Sequence, residues 1–73
     1  MRFPEKIDAD CVGLFIKELT LAGYVAKRDS FGGGDRKGLM VWGGPPTPAN
    51  RVAFYEKADD KWVRKDHFPL IPG

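Results

Sequence analysis

Apolar residues recur at three- and four-residue intervals in one part of this chain, the segment between Asp8 and Gly23. Asp8 and Asp10 are suited to cap a helix N-terminus, and Gly23 is suited to end a helix in the left-handed conformation. The spacing is typical of an amphipathic helix. It predicts a single helix at about residues 9–22. Its predicted buried face carries Cys11, Leu14, Phe15, Glu18 or Leu19, and Ala22, widened by Val12 and Ile16.

The rest of the chain has short apolar and β-branched runs in place of helical periodicity. The runs that predict strands are residues 24–28, 39–42, 51–57 and 61–65. The dipeptide at 59–60 predicts a hairpin turn between the last two. The glycine and proline residues predict loops at residues 29–38 and 43–50. We expect an α+β fold, with one N-terminal amphipathic helix packed on a small, mainly antiparallel sheet of three to four short strands. A small all-β barrel with an N-terminal helix is the alternative.

Length and composition restrict how such a fold can be stabilised. The 73 residues predict a single small domain, 1–73, with a marginal core. Cys11 and His67 are the only residues of their kinds, so neither an intramolecular disulfide nor a four-ligand zinc site can form. No apolar run approaches the ~20 residues that span a bilayer. We expect a soluble intracellular protein without a metal or cofactor, and an apolar tail at 68–73 that is either packed on the core or extended.

Charge is distributed unevenly along the chain. The formal net charge is +2, but residues 27–73 alone carry nine cations and six anions. Dedicated nucleic-acid-binding modules usually have an isoelectric point above about 9 and clustered cations. The isoelectric point of this chain is about 8.9. The C-terminal two thirds is therefore the basic part, with a bias weaker than that of most nucleic-acid-binding domains.

The stretch "FGGGDRKG", residues 31–38, resembles a phosphate-binding loop only superficially. A P-loop needs a lysine followed by serine or threonine after its last glycine, whereas here Lys37 precedes Gly38 and Leu39 follows. The dinucleotide fingerprint fails too, because Lys37 stands where its third glycine would fall. We expect residues 29–38 to form a flexible glycine-rich loop that either connects two strands or carries a binding surface.

The side chains that could act in catalysis are better explained by structure. Ser30 and Cys11 are the conceivable nucleophiles, but the helix pattern predicts that Cys11 is buried. His67 lies in the proline-containing tail, and the adjacent carboxylates of Asp59 and Asp60 fit a turn. The sequence therefore predicts that the protein is not an enzyme.

Three large aromatic residues, Trp42, Tyr55 and Trp62, are either core or interface residues. We interpret most of them as completing the core, although an exposed tryptophan would be a natural anchor for a partner. Cations flank Trp62 in "KWVRK", a pattern that could stack on single-stranded bases. Acidic residues beside those cations weaken that interpretation.

In these features the chain resembles small phage-encoded proteins that bind and inhibit the host's bacterial RNA polymerase. The resemblance lies in the lone helix "DADCVGLFIKELTLAG" followed by "YVAKR", the loop "FGGGDRKG" and the basic aromatic end "KWVRKDHF". It implies a monomer in the cytoplasm of the bacterial host that binds RNA polymerase core subunits and needs no cofactor. It also implies interference with σ-factor engagement and promoter opening, and in some members altered termination.

We expect such a partner to contact the basic side of the molecule, since electrostatic complementarity speeds docking and sets register. The predicted partner-binding residues are Arg28, Arg36, Lys37, Arg64 and Lys65, with Trp62 as an anchor. The alternative function is that of a small nucleic-acid-binding regulator, which predicts steeply salt-dependent binding. A third possibility is a decoy or antitoxin-like module with another partner protein.

Overall fold

The computed structural model describes residues 2–31 and 36–68. Within them, a 3-10 turn at Ala9–Cys11 leads into the helix α1, Val12–Leu21, so the predicted helix is confirmed. A second 3-10 turn is at Pro48–Asn50. The strands are β1 (Lys6–Asp8), β2 (Val25–Phe31), β3 (Arg36–Trp42), β4 (Arg51–Ala58) and β5 (Lys61–Lys65).

The five strands form one antiparallel sheet in the order β1-β5-β4-β3-β2, and the α+β class is confirmed. The sheet has one strand more than predicted. It is open, with β1 and β2 at its edges, so the barrel alternative does not apply to the described residues. The missed strand β1 has three residues and one apolar side chain, Ile7. It becomes a strand only because Ile7 pairs with Trp62 of β5.

The helix packs on one face of the sheet, here called the helix side, and contacts β2. Its buried positions are Val12, Phe15 and Leu19, with Ile16 partly buried. The prediction that Cys11 is buried is wrong: Cys11 is exposed, and Leu14 is 61% exposed. Neighbouring residues on a helix differ by about 100°, so the stripe at 12, 15 and 19 faces a different direction from that at 11, 14 and 18. Cys11 and Leu14 are as apolar as the residues of the buried stripe, so periodicity alone did not separate the two directions.

The start of the helix is held by contacts other than side-chain capping. Asp8 is the N-cap of the 3-10 turn that leads into α1, but its side chain makes no cap hydrogen bond; the N-cap of α1 itself is Cys11. Its carboxylate accepts a hydrogen bond from Lys61 Nζ at 2.7 Å, and the Ala9 N–H donates to the Asp60 carbonyl at 2.8 Å. The predicted capping role of Asp8 is therefore replaced by a link to the β4–β5 hairpin.

The end of the helix is as predicted. Gly23 has φ of 92°, its N–H donates to the Thr20 carbonyl at 3.1 Å, and the Tyr24 N–H donates to the Leu19 carbonyl at 2.9 Å. These two bonds form the Schellman arrangement, which satisfies carbonyls that the helix itself leaves unpaired. The chain can therefore reverse directly into β2.

Two glycines in this region should respond to alanine with opposite signs. Gly23→Ala places a side chain on a left-handed residue and should lower the free energy of unfolding by about 1–2 kcal/mol. Gly13→Ala, within α1, has open space around the new methyl group and should raise it by about 0.5–1 kcal/mol. Urea denaturation of both variants checks this. Shifts of the same sign would contradict the assigned backbone conformations.

The main core lies between α1 and the helix side of the sheet. Tyr55 and Trp62 belong to it, with exposed fractions of 0% and 4%, so the interpretation of these two as core residues is confirmed. Burial raises the pKa of Tyr55, and its neutral hydroxyl donates to the Pro4 carbonyl at 2.6 Å. Trp42 is half-buried on the opposite, outer face, where it packs on a second cluster formed by Met40 and Phe54.

The predicted loop at 29–38 is largely strand. Phe31 pairs with Arg36, so β2 and β3 extend from both sides, and residues 32–35 lie outside the described part of the chain. The loop prediction at 43–50 holds, apart from the short 3-10 turn. Of the predicted tail, residues 69–73 also lie outside the described part. The Phe68 ring is described, 5.1 Å from the guanidinium carbon of Arg51.

Candidate docking surface

Strand alternation divides the six predicted partner-binding residues between the two faces of the sheet. Side chains alternate along a strand, and those that are directly paired across strands share a face. The core residues Leu39, Tyr55 and Trp62 mark the helix side. The registers of β2 to β5 then place Arg28, Lys37, Trp62 and Arg64 on the helix side, and Arg36 and Lys65 on the outer face.

A row of side chains crosses four strands on the helix side, next to the β2–β3 hairpin. Ser30 pairs with Lys37, and Lys57 pairs with Trp62. The last β3–β4 pair is Gly38 with Glu56, and continuing this register by one position puts Lys37 beside Lys57. These residues, with Arg28, line a hollow of about 300 Å³ that is open to solvent. We call Arg28, Lys37 and Lys57, the three cations around it, the basic hollow.

None of the three cations of the basic hollow forms an ion pair within the part of the chain that the structure describes. The two ion pairs found there are Arg36–Glu56 and Lys61–Asp8. Asp29 also lines the hollow, but its register opposite Gly38 places its side chain on the outer face, and its carboxylate accepts a hydrogen bond from the backbone N–H of Ser30 at 2.8 Å. Like charges on directly opposite strand positions destabilise a sheet. We therefore expect Lys37 and Lys57, which lie one position beyond the last β3–β4 pair, to repel each other.

On the outer face, at the same end of the sheet, a cation is paired with a carboxylate of the same chain. The Arg36 guanidinium binds both carboxylate oxygens of Glu56, with Nε donating to Oε2 at 2.7 Å. These hydrogen bonds hold the pKa of Glu56 below its ordinary value, although partial burial opposes them. The charges of Arg36, Lys65 and His67 lower it further. The same hydrogen bonds raise the pKa of Arg36, which is therefore engaged within the molecule.

The Arg36–Glu56 pair should give the protein an acid-sensitive contribution to stability. The pKa of Glu56 is lower in the folded than in the unfolded chain. The contribution is therefore complete above the ordinary glutamate pKa of about 4.3 and is lost as the pH falls through the folded value. Melting temperatures of the wild type and Glu56→Gln between pH 7 and pH 3 should converge as the pH falls. A gap independent of pH would contradict this.

Two further predicted contact residues have structural roles. Arg64 Nη1 donates to the Phe3 carbonyl at 2.7 Å, and its backbone N–H donates to the Glu5 carbonyl at 2.8 Å. Phe3 in turn packs edge-to-face on Tyr24, with ring centroids 5.6 Å apart. Arg64 thus fastens the N-terminal segment to the sheet. Trp62, being buried, offers a partner little surface beyond the edge that lines the hollow.

Sequence reasoning missed Lys57 as a member of the surface. The signal was present, because a two-residue turn at 59–60 fixes the hairpin register and places Lys57 opposite Trp62. What composition could not reveal was which strand neighbours β4. That order brings Lys37 beside Lys57, although the two residues are twenty positions apart.

Within residues 2–31 and 36–68 the structure contains neither a metal-binding cluster nor a membrane-spanning helix. No group of three or more His, Cys, Asp or Glu side chains in residues 2–31 and 36–68 is placed to hold a metal ion. Over the same residues no helix has the length and apolar character required to cross a membrane. In comparisons with known proteins, no protein-family model, curated protein or solved structure matches this chain.

Proposed function

We propose that this chain is a non-catalytic phage protein that binds core subunits of the host's bacterial RNA polymerase. In this proposal it acts in the host cytoplasm and lowers transcription initiation by interfering with σ-factor engagement. The resemblance in the helix, the glycine-rich stretch and the basic aromatic end supports the choice of partner. The basic hollow supports the mode of binding, and it is the structural observation on which the proposal depends.

Three exposed cations that form no described ion pair are suited to bind an acidic protein surface. Charge complementarity raises the rate of encounter and suppresses wrong partners. A protein of this size can inhibit a large enzyme by occupying a surface that another subunit needs, so no catalytic group is required. Arg28 and Lys37 remain in the proposed contact surface, and Lys57 joins them. The outer-face cations Arg36 and Lys65 are placed outside it.

The second candidate function, a small nucleic-acid-binding regulator, draws on the same cations. Basic clusters bind phosphates, and the affinity then falls steeply with salt. Proteins that bind single strands usually add aromatic rings on which bases stack. Trp62, the aromatic residue lining the basic hollow, is 4% exposed and offers no stacking face. This burial favours a protein partner.

The test is capture of polymerase by the tagged protein from bacterial lysate, at moderate salt and after nuclease treatment. The proposal expects recovery of polymerase core subunits in near-stoichiometric amounts. It also expects reduced promoter opening when the protein is added to purified holoenzyme. Capture that disappears with nuclease would favour the nucleic-acid-binding regulator. Clean capture of a different protein would overturn the choice of partner.

A further inference from the structure

The two faces of the sheet near the β2–β3 hairpin differ in whether their cations form ion pairs. On the outer face Glu56 binds Arg36 and lies near Lys65, so the charge of Arg36 is paired within the molecule. On the helix side, Lys37 and Lys57 are neighbours, and neither takes part in an ion pair with a described residue. This side therefore presents two exposed cations that no described ion pair neutralises.

We infer that the basic hollow receives a pair of carboxylates presented by an acidic helix of its protein partner. This inference rests on the proposed function, since it specifies the chemistry of the polymerase surface that is bound. The pair neutralises Lys37 and Lys57 together, while Arg28 and the Ser30 hydroxyl supply further hydrogen-bond donors at the rim.

The spacing of the two lysines favours a helix as the source of the carboxylates. Lys37 and Lys57 lie one position beyond the last β3–β4 pair, and directly opposite residues on neighbouring strands have Cβ atoms about 4.5–5.5 Å apart. Side chains at i and i+4 of a helix are spaced by about 5–6 Å, whereas same-face side chains of an extended segment are about 6.6 Å apart. A carboxylate pair at i and i+4 therefore matches the lysine pair more closely than an extended acidic segment does.

A carboxylate introduced into the basic hollow by substitution should take the place of the partner's carboxylates. Ser30 is exposed and lies directly opposite Lys37, so Ser30→Glu places a carboxylate inside the basic hollow. We expect this variant to melt about 2 °C or more above the wild type, because a repulsive site becomes an attractive one. We also expect it to bind polymerase core about tenfold more weakly. Thr47→Glu adds the same charge in the Gly43–Asn50 connection, beyond the opposite end of β3, and should leave the affinity unchanged.

Peptide probes test the helical spacing directly. The first probe is a capped, alanine-based helical 16-mer with two glutamates at i and i+4. The second has the same composition with the glutamates at i and i+2, which point to different sides of a helix. In an NMR titration the first should shift the amides of residues 28, 30, 37 and 57 and bind about tenfold more tightly. Equal binding would overturn the inference, and so would tighter binding of a single-stranded 12-mer oligonucleotide at the same amides.

These outcomes separate the inference from the proposed function. If the wild type captures polymerase and Ser30→Glu captures it equally well, the carboxylate pair is wrong while polymerase binding stands. If the wild type does not capture polymerase, the proposed function fails, whatever the peptides do. The inference requires that Ser30→Glu has a higher melting temperature than the wild type and captures less polymerase.

Discussion

A variant in which Lys37 and Lys57 are both changed to glutamate is expected to lose about 100-fold or more in affinity for RNA polymerase core. The change replaces two attractive contacts with an acidic surface by two repulsive ones, and like charges facing each other across an interface cost several kcal/mol. A factor of 100 corresponds to about 2.7 kcal/mol. Immobilised polymerase core and a concentration series of the variant measure the affinity. Promoter opening should recover in parallel.

The folded state of this double variant should be nearly unchanged. A pair of neighbouring lysines becomes a pair of neighbouring glutamates, so the cross-strand repulsion persists, while Arg28 now lies near opposite charges. The matched control is Lys17→Glu with Lys27→Glu, which reverses two exposed cations away from the basic hollow, on the helix and on the outer face. If the control loses as much affinity as the test variant, net charge determines binding and the basic hollow is not the contact surface.

The basic hollow could be predicted from the sequence only in part. The sequence assigns Arg28, Arg36, Lys37 and Lys65 to one basic side of the molecule. Arg28 and Lys37 do line the hollow, but Arg36 and Lys65 lie on the other face and near Glu56. The face on which a strand residue lies depends on whether it is an even or an odd number of positions from a core residue of the same strand. Parity can be read from the sequence only when the paired strand and its register are known.

The fold was more predictable where the signal is local. The β5 boundaries, the hairpin at 59–60 and the glycine that ends α1 follow from a few adjacent residues, and the structure agrees. The strand β1 and the exposed position of Cys11 depend on tertiary contacts instead. A three-residue strand needs its partner to exist, and a helix with two apolar stripes takes its orientation from the sheet beneath it.

Leu19→Ala is expected to have the largest effect on stability of any single change considered. Leu19 is 0% exposed and belongs to the buried face of α1 in the main core. Truncating a buried leucine removes apolar contacts and leaves a cavity, which costs about 2–5 kcal/mol. At about 0.05–0.15 kcal/mol per residue, a chain of this length has roughly 4–11 kcal/mol of stability in total. Urea denaturation followed by circular dichroism should show a midpoint reduced by a third or more.

The same helix supplies a matched control two residues further on. Leu21 is 79% exposed, so Leu21→Ala removes the same atoms from a position with little burial and should change stability by less than about 0.5 kcal/mol. The difference between the two variants isolates burial from helix propensity, because leucine and alanine are both strong helix formers. Equal losses would mean that the helix presents a different face to the sheet. The basic hollow, whose position is defined relative to the same core, would then have to be placed anew.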